Sequence, residues 1–505
     1  HKLSAAHTSP ARTHTACKSS RRSHLLHTIL PSRVILLSGA TVVNADGESA
    51  VDVLVDDATG VVVDVRRSID PSELPPKSKH IRGDGKYLFP GFIDPHVHVY
   101  LPFMGTFAKD TWETASRAAL MGGTTTLLEM ICPGKTDDAA VAYELWESHA
   151  AGHSYCDYGF HMGVTRFDEQ TRSQLRWIIN EKNCRSLKVF LAYKGALGID
   201  DRELFQTMSL AAEMRVIVTG HCENETLVDQ LQHRLIAKGC TAPRFHGESR
   251  PPWVEASGVR HLCAFARATG AAVYIVHTSC KEAVEAAEDE ASRGVNVTIE
   301  SVLPHFILDE TRTLGTENDE FAGAKFVMSP PLRAEAQCQF LWEALAAGRV
   351  ATVGTDHAPF DYVGQKEMGR SDFRNIPNGI PSVEHRVDLL YSRGVIPGRI
   401  SLCQLVSVAS EQPAKVFGLA RKGRIAPGFD ADLVLYDPHF RAVLSAQSHH
   451  MATDYSAFEG WETTGRSDTV MVRGRIVVEK GQWVGDSQDQ SSRGWGQRVP
   501  RVSST

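Results

Sequence analysis

The strongest constraint on the fold is an alternation of short apolar segments with helical ones through the middle of the 505-residue chain. Helical patterns occupy, for example, residues 110–121, 200–213 and 281–293. Eight buried strands alternating with helices predict an α/β fold, a (β/α)8 TIM-like barrel over residues 88–412. The eight strand-like segments are residues 92–98, 124–130, 156–163, 185–191, 216–220, 272–277, 295–300 and 350–355.

Both ends of the chain show another pattern, short β-branched runs separated by turn residues. We predict that residues 34–87 and 413–480 form one small β-sandwich, in which each end supplies strands that the other cannot pair alone. Residues 1–33 contain no Asp or Glu, which predicts a basic flexible leader. Residues 481–505 are rich in Ser, Gln, Gly and Arg, which predicts a flexible tail.

Composition argues against several kinds of partner. The 54 Lys and Arg residues against 60 Asp and Glu give a net charge of −6, which disfavours binding of nucleic acid through its phosphates. The chain has no run of 18 or more apolar residues, so no membrane span is predicted. Its ten cysteines form no C-x-x-C pair, which is typical of reduced thiols in a cytoplasmic protein.

Polar residues end or directly follow four of the predicted strands, at the edge where such a barrel places its active site. His96 and His98 end the first strand, and side chains two residues apart in a strand share a face. His221, His277 and Asp356 follow the fifth, sixth and eighth strands. A single histidine at a strand exit is commonly an ordinary cap, but all five together predict a site for zinc or a similar divalent metal, with one ion or two.

Lys188 lies inside the fourth predicted strand, which is otherwise apolar. A buried ammonium is costly unless it loses its proton or is paired, and spacing alone favours a lysine that snorkels or pairs with a carboxylate. The alternative is a neutral amine that takes up CO2. The resulting carbamate is anionic and has two oxygens, so it can bridge two metal ions.

Eight segments resemble the D-hydantoinase and dihydropyrimidinase family, the cyclic-amide branch of the amidohydrolase superfamily. They occur in the family's order within residues 34–480 and read DPHVH from residue 94, PFMGT from 102, SLKVFLAY from 186, HCEN from 221, IVHTSCKEA from 275, SPPLR from 329, GTDH from 354 and IPNG from 376. The resemblance implies a binuclear zinc site. His96, His98 and Asp356 would hold one ion, His221 and His277 the other, and carbamylated Lys188 (N6-carboxylysine) would bridge both.

The same resemblance implies how a cyclic amide would be bound and opened. Tyr193 would polarise the substrate carbonyl, and backbone groups at Ser329 and Asn378 would hold the cyclic imide. A hydroxide shared by the two metals would attack the ring carbonyl, and Asp356 would pass its proton to the leaving ring nitrogen. The product would be an N-carbamoyl amino acid. The family is commonly tetrameric, so a homotetramer is the expected assembly.

Apolar residues near the barrel mouth are candidates for selecting the substrate's side chain. Phe190 shares strand parity with Lys188, so both side chains can face the same cavity. Phe103 follows the H-x-H pair by five residues and matches a loop that shapes the pocket in hydantoinases. Leu197 is a third candidate. An ordinary core role is an equally good interpretation of all three.

Two further functions remain open from the sequence. Allantoinase and dihydroorotase share the metal set, but dihydroorotases usually carry an arginine where this chain has Tyr100, which disfavours an acidic ring substrate. The collapsin response mediator proteins are non-catalytic scaffolds of the same fold that have lost metal ligands, whereas all six ligand positions are filled here. The segment at residues 301–305 departs from the family's usual sequence, which leaves the choice between hydantoins and dihydropyrimidines open.

Overall fold

A computed structural model describes residues 33–487 and 494–503, so the predicted leader, apart from Arg33, lies outside the described residues. The strands are β1 (Val34–Ser38), β2 (Thr41–Asn44), β3 (Gly47–Ala50), β4 (Asp52–Asp56), β5 (Val61–Arg66), β6 (Lys79–Arg82), β7 (Tyr87–Pro90), β8 (Phe92–Val97), β9 (Pro102–Phe103), β10 (Thr106–Phe107), β11 (Thr124–Ile131), β12 (Asp157–Gly163), β13 (Ser186–Phe190), β14 (Ile217–His221), β15 (Val273–Ile275), β16 (Val297–Val302), β17 (Thr352–Gly354), β18 (Leu433–Val443), β19 (Glu462–Val472), β20 (Arg475–Glu479) and β21 (Gln482–Trp483).

The α-helices are α1 (Trp112–Met121), α2 (Ala139–Ala150), α3 (Glu169–Glu181), α4 (Asp201–Met214), α5 (Glu225–Ala237), α6 (Phe245–Glu248), α7 (Pro252–Thr269), α8 (Lys281–Ser292), α9 (Leu303–Ile307), α10 (Glu335–Ala346), α11 (Arg386–Leu390), α12 (Leu402–Val406) and α13 (Gln412–Val416). Short 3-10 helices occupy Pro71–Glu73, Glu310–Leu314, Glu320–Phe326, Lys366–Gly369, Phe373–Asn375 and Gly485–Ser487, and π-helical turns occupy Tyr391–Val395 and Ser407–Glu411. In the described part of the chain, every helix is too short or too polar to cross a membrane.

Eight parallel strands, β8 and β11 to β17, lie side by side in chain order. The last strand meets the first, because the His98 amide donates to the His357 carbonyl at 2.7 Å and the Asp356 amide to the His96 carbonyl at 3.0 Å. Each strand coincides with a predicted one, which confirms the (β/α)8 barrel. The strands are buried almost throughout, because helices cover the outside and side chains fill the interior.

The predicted joining of the two chain ends is present in a seven-stranded sheet, in the order β21-β20-β19-β18-β7-β2-β3. In it β18, from the C-terminal part, pairs antiparallel with β7, from the N-terminal part, with Leu433 opposite Pro90. A second sheet, in the order β5-β4-β1-β6, comes from the N-terminal part alone. Apolar residues of both sheets share a core that includes Ile35, Leu88 and Met471.

The described parts of the predicted tail, residues 481–487 and 494–503, contact the rest of the fold. Strand β21 pairs with β20, and residues 494–503 lie against the barrel. Arg501 is only 3% exposed; its Nε donates to the Phe417 carbonyl at 2.7 Å and its Nη1 to the Phe160 carbonyl and to Ser186 Oγ, both at 2.9 Å. These contacts order a polar segment through distant partners, which composition does not reveal.

A buried lysine joins the barrel to the β-sandwich. Lys422 Nζ lies 2.7 Å from Asp157 Oδ2 and 2.6 Å from Asp432 Oδ2. Asp157 begins β12 of the barrel, whereas Asp432 directly precedes β18 of the seven-stranded sheet. All three side chains are buried; Asp157 also pairs with Arg473, so removal of the lysine would leave Asp432 without the cation that pairs with it.

Replacing Lys422 by Met should therefore destabilise the protein by about 3–5 kcal/mol, the typical cost of leaving one partner of a buried ion pair uncompensated. Urea unfolding followed by fluorescence measures this change. Lys109→Met is the matched control, because Lys109 pairs with Asp361 at the surface, where such pairs contribute less than about 1 kcal/mol. Equal, small changes in both variants would contradict the account of this joint.

Candidate metal centre and substrate pocket

The six predicted metal ligands converge at the C-terminal end of the barrel strands. They are His96 on β8, His98 just after it, Lys188 on β13, His221 at the end of β14, and His277 and Asp356, each two residues beyond β15 and β17. All are at least nine-tenths buried. Five of them line one cavity, and His96 lies beside it with its ring centroid 5.3 Å from that of His98.

His96, His98 and Asp356 form the first ligand group. Asp356 Oδ1 lies 3.1 Å from His96 Nε2 and 3.2 Å from His98 Nε2, and one ligand atom from each residue lies within 4.8 Å of the others. Burial would raise the pKa of Asp356, but the His96 imidazole beside it holds that pKa well below its usual range. Two imidazoles and a carboxylate in this arrangement fit a zinc-like ion.

His221 and His277 form the second ligand group. His221 Nδ1 faces His277 Nε2 at 2.9 Å, while the other nitrogen of His221 contacts Glu223 Oε2 at 2.8 Å. Burial lowers the pKa of both imidazoles, which favours the neutral form that binds metals. The two facing nitrogens therefore fit a second ion.

Lys188 lines the same cavity as both ligand groups and is fully buried. Its Nζ has no hydrogen-bond partner among the residues that the structure describes, and it lies 4.8 Å from the centre of the Phe190 ring. Burial lowers the pKa of this amine. Spacing alone favoured a Lys188 side chain that snorkels or pairs with a carboxylate, but neither arrangement is found among the described residues. A buried, unpaired amine fits a metal-bridging carbamate instead.

Glu300, on β16, connects the two ligand groups, although the sequence alone predicts no role for it. Its Oε2 lies 2.9 Å from His96 Nδ1 and accepts a hydrogen bond from the His277 amide, also at 2.9 Å. Contact at Nδ1 directs His96 Nε2 toward Asp356. The sequence signal that could have found Glu300 is a charged residue inside a buried strand, which is also the signal that singled out Lys188.

His357 follows Asp356 but is directed away from the metal ligands. Its Nε2 lies 2.8 Å from Asp110 Oδ2, and its Nδ1 accepts a hydrogen bond from the Ser382 amide at 3.1 Å. Both ring nitrogens are therefore engaged by the protein, and this histidine supports the barrel wall.

Three residues at the cavity have left-handed backbone conformations: Tyr193 (φ 63°), His277 (φ 40°) and Asp356 (φ 50°). For residues other than glycine, such conformations cost about 1–3 kcal/mol each and persist only where the surroundings impose them. The amide of each is held by a fixed acceptor, as in the 2.6 Å bond from Tyr193 to Glu225 Oε2. The directions of these side chains are thus imposed by the fold.

The predicted substrate residues line the same cavity as the ligand groups: Tyr193, Ser329, Asn378, Phe103, Phe190 and Leu197. Asn378 Nδ2 donates to the Tyr193 hydroxyl at 3.1 Å, and Phe103 meets the Tyr193 ring edge to face at 5.5 Å. His305, from the segment that departs from the family's usual sequence, supports this wall, because its Nε2 lies 3.1 Å from the Pro330 carbonyl.

The cavity around the ligand groups is small, at about 50 Å³, and adjoins an outer cavity of about 320 Å³. The two share the walls formed by Phe103, Tyr193, Leu197 and Asn378. Helix α5 contributes Val228 and other residues to the outer cavity. The arrangement provides a tight inner space at the ligand groups and a wider space toward the barrel mouth.

Replacing Glu300 by Gln should lower zinc affinity about 10–100-fold, because such supporting carboxylates orient the ligands and raise their basicity. Competition of the metal-loaded protein with a chromophoric chelator measures this affinity. Glu290→Gln is a matched control, since Glu290 is also a buried carboxylate but pairs with Arg267 and Arg293 on the outside of the barrel. Unchanged affinity in the Glu300 variant would contradict its assigned role.

Comparison with known proteins identifies the family. The model of the Amidohydrolase family matches residues 87–477. A D-hydantoinase from Geobacillus stearothermophilus is 40% identical over 468 residues, covering 92% of this chain and 96% of that protein. Dihydropyrimidinase 2 from Caenorhabditis briggsae is 34% identical over 469 residues, covering 92% and 88%.

A solved structure of a D-hydantoinase (dihydropyrimidinase) from Thermus sp. superposes with a TM-score of 0.88 at 49% identity, covering 92% of this chain and 99% of that one. The sequence and structural matches agree with each other and extend over both the barrel and the β-sandwich. The chain therefore belongs to the amidohydrolase family, in the branch of the D-hydantoinases and dihydropyrimidinases.

Proposed function

We propose that this chain hydrolyses the ring amide of hydantoins or dihydropyrimidines to N-carbamoyl amino acids. The observation that carries the proposal is the convergence of both ligand groups on the Lys188 amine at one cavity, where this amine has no hydrogen-bond partner among the described residues. The names of the relatives, D-hydantoinase and dihydropyrimidinase, support cyclic amides as the substrate class. Membership of their family makes the chain a hydrolase of carbon–nitrogen bonds in cyclic amides.

The family is metal-dependent, and the buried first ligand group fits a divalent ion. We assign two ions to this chain, zinc in preference to other metals, with one in each ligand group. A CO2-derived carbamate on Lys188 would bridge them; burial of an amine with lowered pKa supports this, because CO2 reacts with the neutral form. When bound, the ions lower the pKa of a coordinated water, so that hydroxide is available near neutral pH.

Asp356 is placed to move the proton during ring opening. Its Oδ1 lies against both imidazoles of the first ligand group, and no described residue is hydrogen-bonded to its Oδ2. The low pKa of this carboxyl keeps it ionised before the substrate binds, and Oδ2 would accept the proton of the attacking nucleophile as the new C–O bond forms. The same oxygen can then deliver that proton to the leaving ring nitrogen.

Tyr193 is placed to stabilise the negative charge that develops on the substrate's carbonyl oxygen. Burial raises the pKa of its hydroxyl, which therefore stays protonated at neutral pH. The Asn378 amide donates to the same oxygen, so the Tyr193 proton remains available to the substrate. Backbone groups of Ser329 and Asn378, on the same wall, would hold the imide of the ring.

An acidic ring substrate, as in a dihydroorotase, is less well supported. Tyr100 occupies the position of the carboxylate-binding arginine, and its ring stacks on His149 at 4.1 Å instead of lining the inner cavity. Among the described residues, no arginine lines that cavity. A non-catalytic scaffold is also disfavoured, since both ligand groups are complete and buried.

We further propose that the protein is a cytoplasmic homotetramer. Its binding partner would be its small cyclic amide substrate. All nine cysteines in the described ranges are free thiols, which supports a reducing compartment. Family resemblance supports the tetramer. Light scattering of the purified protein should give about four times the 55.4 kDa chain mass, and a stable monomer would contradict this assembly.

The proposed function is tested by metal analysis followed by a substrate panel of 5-substituted hydantoins, dihydrouracil, dihydroorotate and allantoin. We expect two zinc ions per chain and turnover of hydantoins or dihydrouracil. Asp356→Ala should abolish turnover while the protein stays folded. Lys188→Ala should lose metal and activity, and a short carboxylic acid should restore part of both by replacing the carbamate. Near-full activity of the Asp356 variant, or a zinc-loaded wild type that hydrolyses no member of the panel, would refute the proposal.

Larger side chains in the wall of the inner cavity should change the substrate preference. Phe103→Trp and Phe190→Trp should alter the ratio of kcat/KM between bulky and small 5-substituted hydantoins about 10-fold or more, because each narrows the pocket by a few ångströms. Metal content should stay near that of the wild type. Phe205→Trp, on the exposed face of α4, is the control. Equal losses of metal and of activity on every substrate would favour a core role for both phenylalanines.

A further inference from the structure

We propose that Arg250 is a positioning residue that couples the second ligand group to Tyr193. Its guanidinium lies between Glu223, which holds the metal ligand His221, and the ring of Tyr193. A single buried cation would thus set both the direction of a metal ligand and the position of the hydroxyl that activates the substrate. The inference rests on the proposed function for the role of Tyr193, but its metal part can be measured independently.

The first contact of Arg250 is with the support of a metal ligand. Arg250 is 3% exposed, in the connection between α6 and α7, and its Nη1 pairs with Glu223 Oε2. The same oxygen lies 2.8 Å from His221 Nε2. Because a hydrogen bond at one imidazole nitrogen directs the other toward the metal, Glu223 leaves His221 Nδ1 to face His277. Arg250 fixes the carboxylate that makes this choice.

The second contact is with the substrate residue. The Arg250 guanidinium carbon lies 5.4 Å from the centre of the Tyr193 ring, within the range of a cation–π contact. A tyrosine has no intrinsic preference for the left-handed backbone conformation of Tyr193. The position of this residue therefore depends on such surrounding contacts. Glu225 holds its amide and Asn378 its hydroxyl, while Arg250 lies against the ring itself.

Arg250 is itself held in place by a second buried arginine. Arg333 Nη1 donates to the Arg250 carbonyl, and Arg333 Nη2 pairs with Glu255 Oε2 at 2.9 Å. Arg333 Nε also donates to Ser279 Oγ at 2.9 Å, two residues beyond the ligand His277. The position of Arg250 is therefore tied to the loop that carries the other member of the second ligand group.

A simpler interpretation is that Arg250 only neutralises a buried carboxylate. The two interpretations differ in what lysine can replace. Lysine supplies a positive charge for Glu223, but its compact ammonium lacks the extended planar group that reaches Glu223 and the Tyr193 ring at once. A purely neutralising role predicts that Arg250→Lys restores every property, whereas the coupling role predicts that it restores metal binding and not turnover.

The test compares Arg250→Met, Arg250→Lys, Tyr193→Phe and the Arg250→Met/Tyr193→Phe double variant, using zinc-loaded enzyme. Chelator competition measures zinc retention, and steady-state kinetics on the best substrate of the panel separates kcat from KM. We expect Arg250→Met to weaken one of two zinc sites about 10–100-fold, as other losses of ligand support do. It should also lower kcat about 10–100-fold with little change in KM, because Tyr193 acts mainly in the transition state.

Arg250→Lys should retain zinc while keeping most of the loss in kcat. In the Tyr193→Phe background, Arg250→Met should cost much less in kcat than it does alone, because the hydroxyl that it positions is absent. Arg349→Met removes a guanidinium–carboxylate pair with Glu288 at the surface and serves as the control that should change neither property.

Full recovery of kcat in Arg250→Lys, or equal effects of Arg250→Met in both Tyr193 backgrounds, would overturn the coupling. If Arg250→Met fails to fold, an Arg250→Lys/Tyr193→Phe double variant takes its place, and the effect of Arg250→Lys on kcat with and without the Tyr193 hydroxyl decides the question. A wild type that binds two zinc ions but hydrolyses no member of the panel would refute the proposed function. In that case, unchanged zinc retention in Arg250→Met would overturn the inference separately.

Discussion

Lys188 is a fully buried amine inside the barrel, without a hydrogen-bond partner among the described residues. A charged ammonium in that position would lose its hydration without compensation, so burial favours the neutral amine. The two ligand groups surround the same cavity, and the second, which consists of two imidazoles without a carboxylate, needs a negative partner if it is to hold a divalent ion. A carbamate on Lys188 meets both requirements, since it replaces the buried amine by two oxygens that share one negative charge.

The directions of the ligands are set by carboxylates outside the cavity. Glu300 engages His96 and the amide of His277, and Glu223 engages His221. Each contact uses one nitrogen or amide and leaves the opposite nitrogen for the metal. Arg250 extends this arrangement from the metal ligands to the substrate side of the cavity. The site is therefore one connected set of polar contacts built into the strand ends and the loops behind them.

The sequence predicts the barrel well because its strands carry a local signal: short, apolar and β-branched runs between helices. The candidate metal ligands can also be predicted, because a parallel barrel brings every strand end to one edge. The roles of Glu300 and Arg250 are harder to predict, since their partners lie in other parts of the chain; Glu300 stands out only as a charged residue in a buried strand, and no local pattern marks Arg250. The predicted tail fails for a related reason, because distant carbonyls around Arg501 order a segment whose composition is polar.

The most direct test is a crystal structure of the zinc-loaded protein, with diffraction data collected at the zinc absorption edge. The account predicts two anomalous peaks about 3.5–4 Å apart, one in each ligand group, with density extending from the Lys188 amine to both. A single ion in the first ligand group beside a bare Lys188 side chain would contradict it.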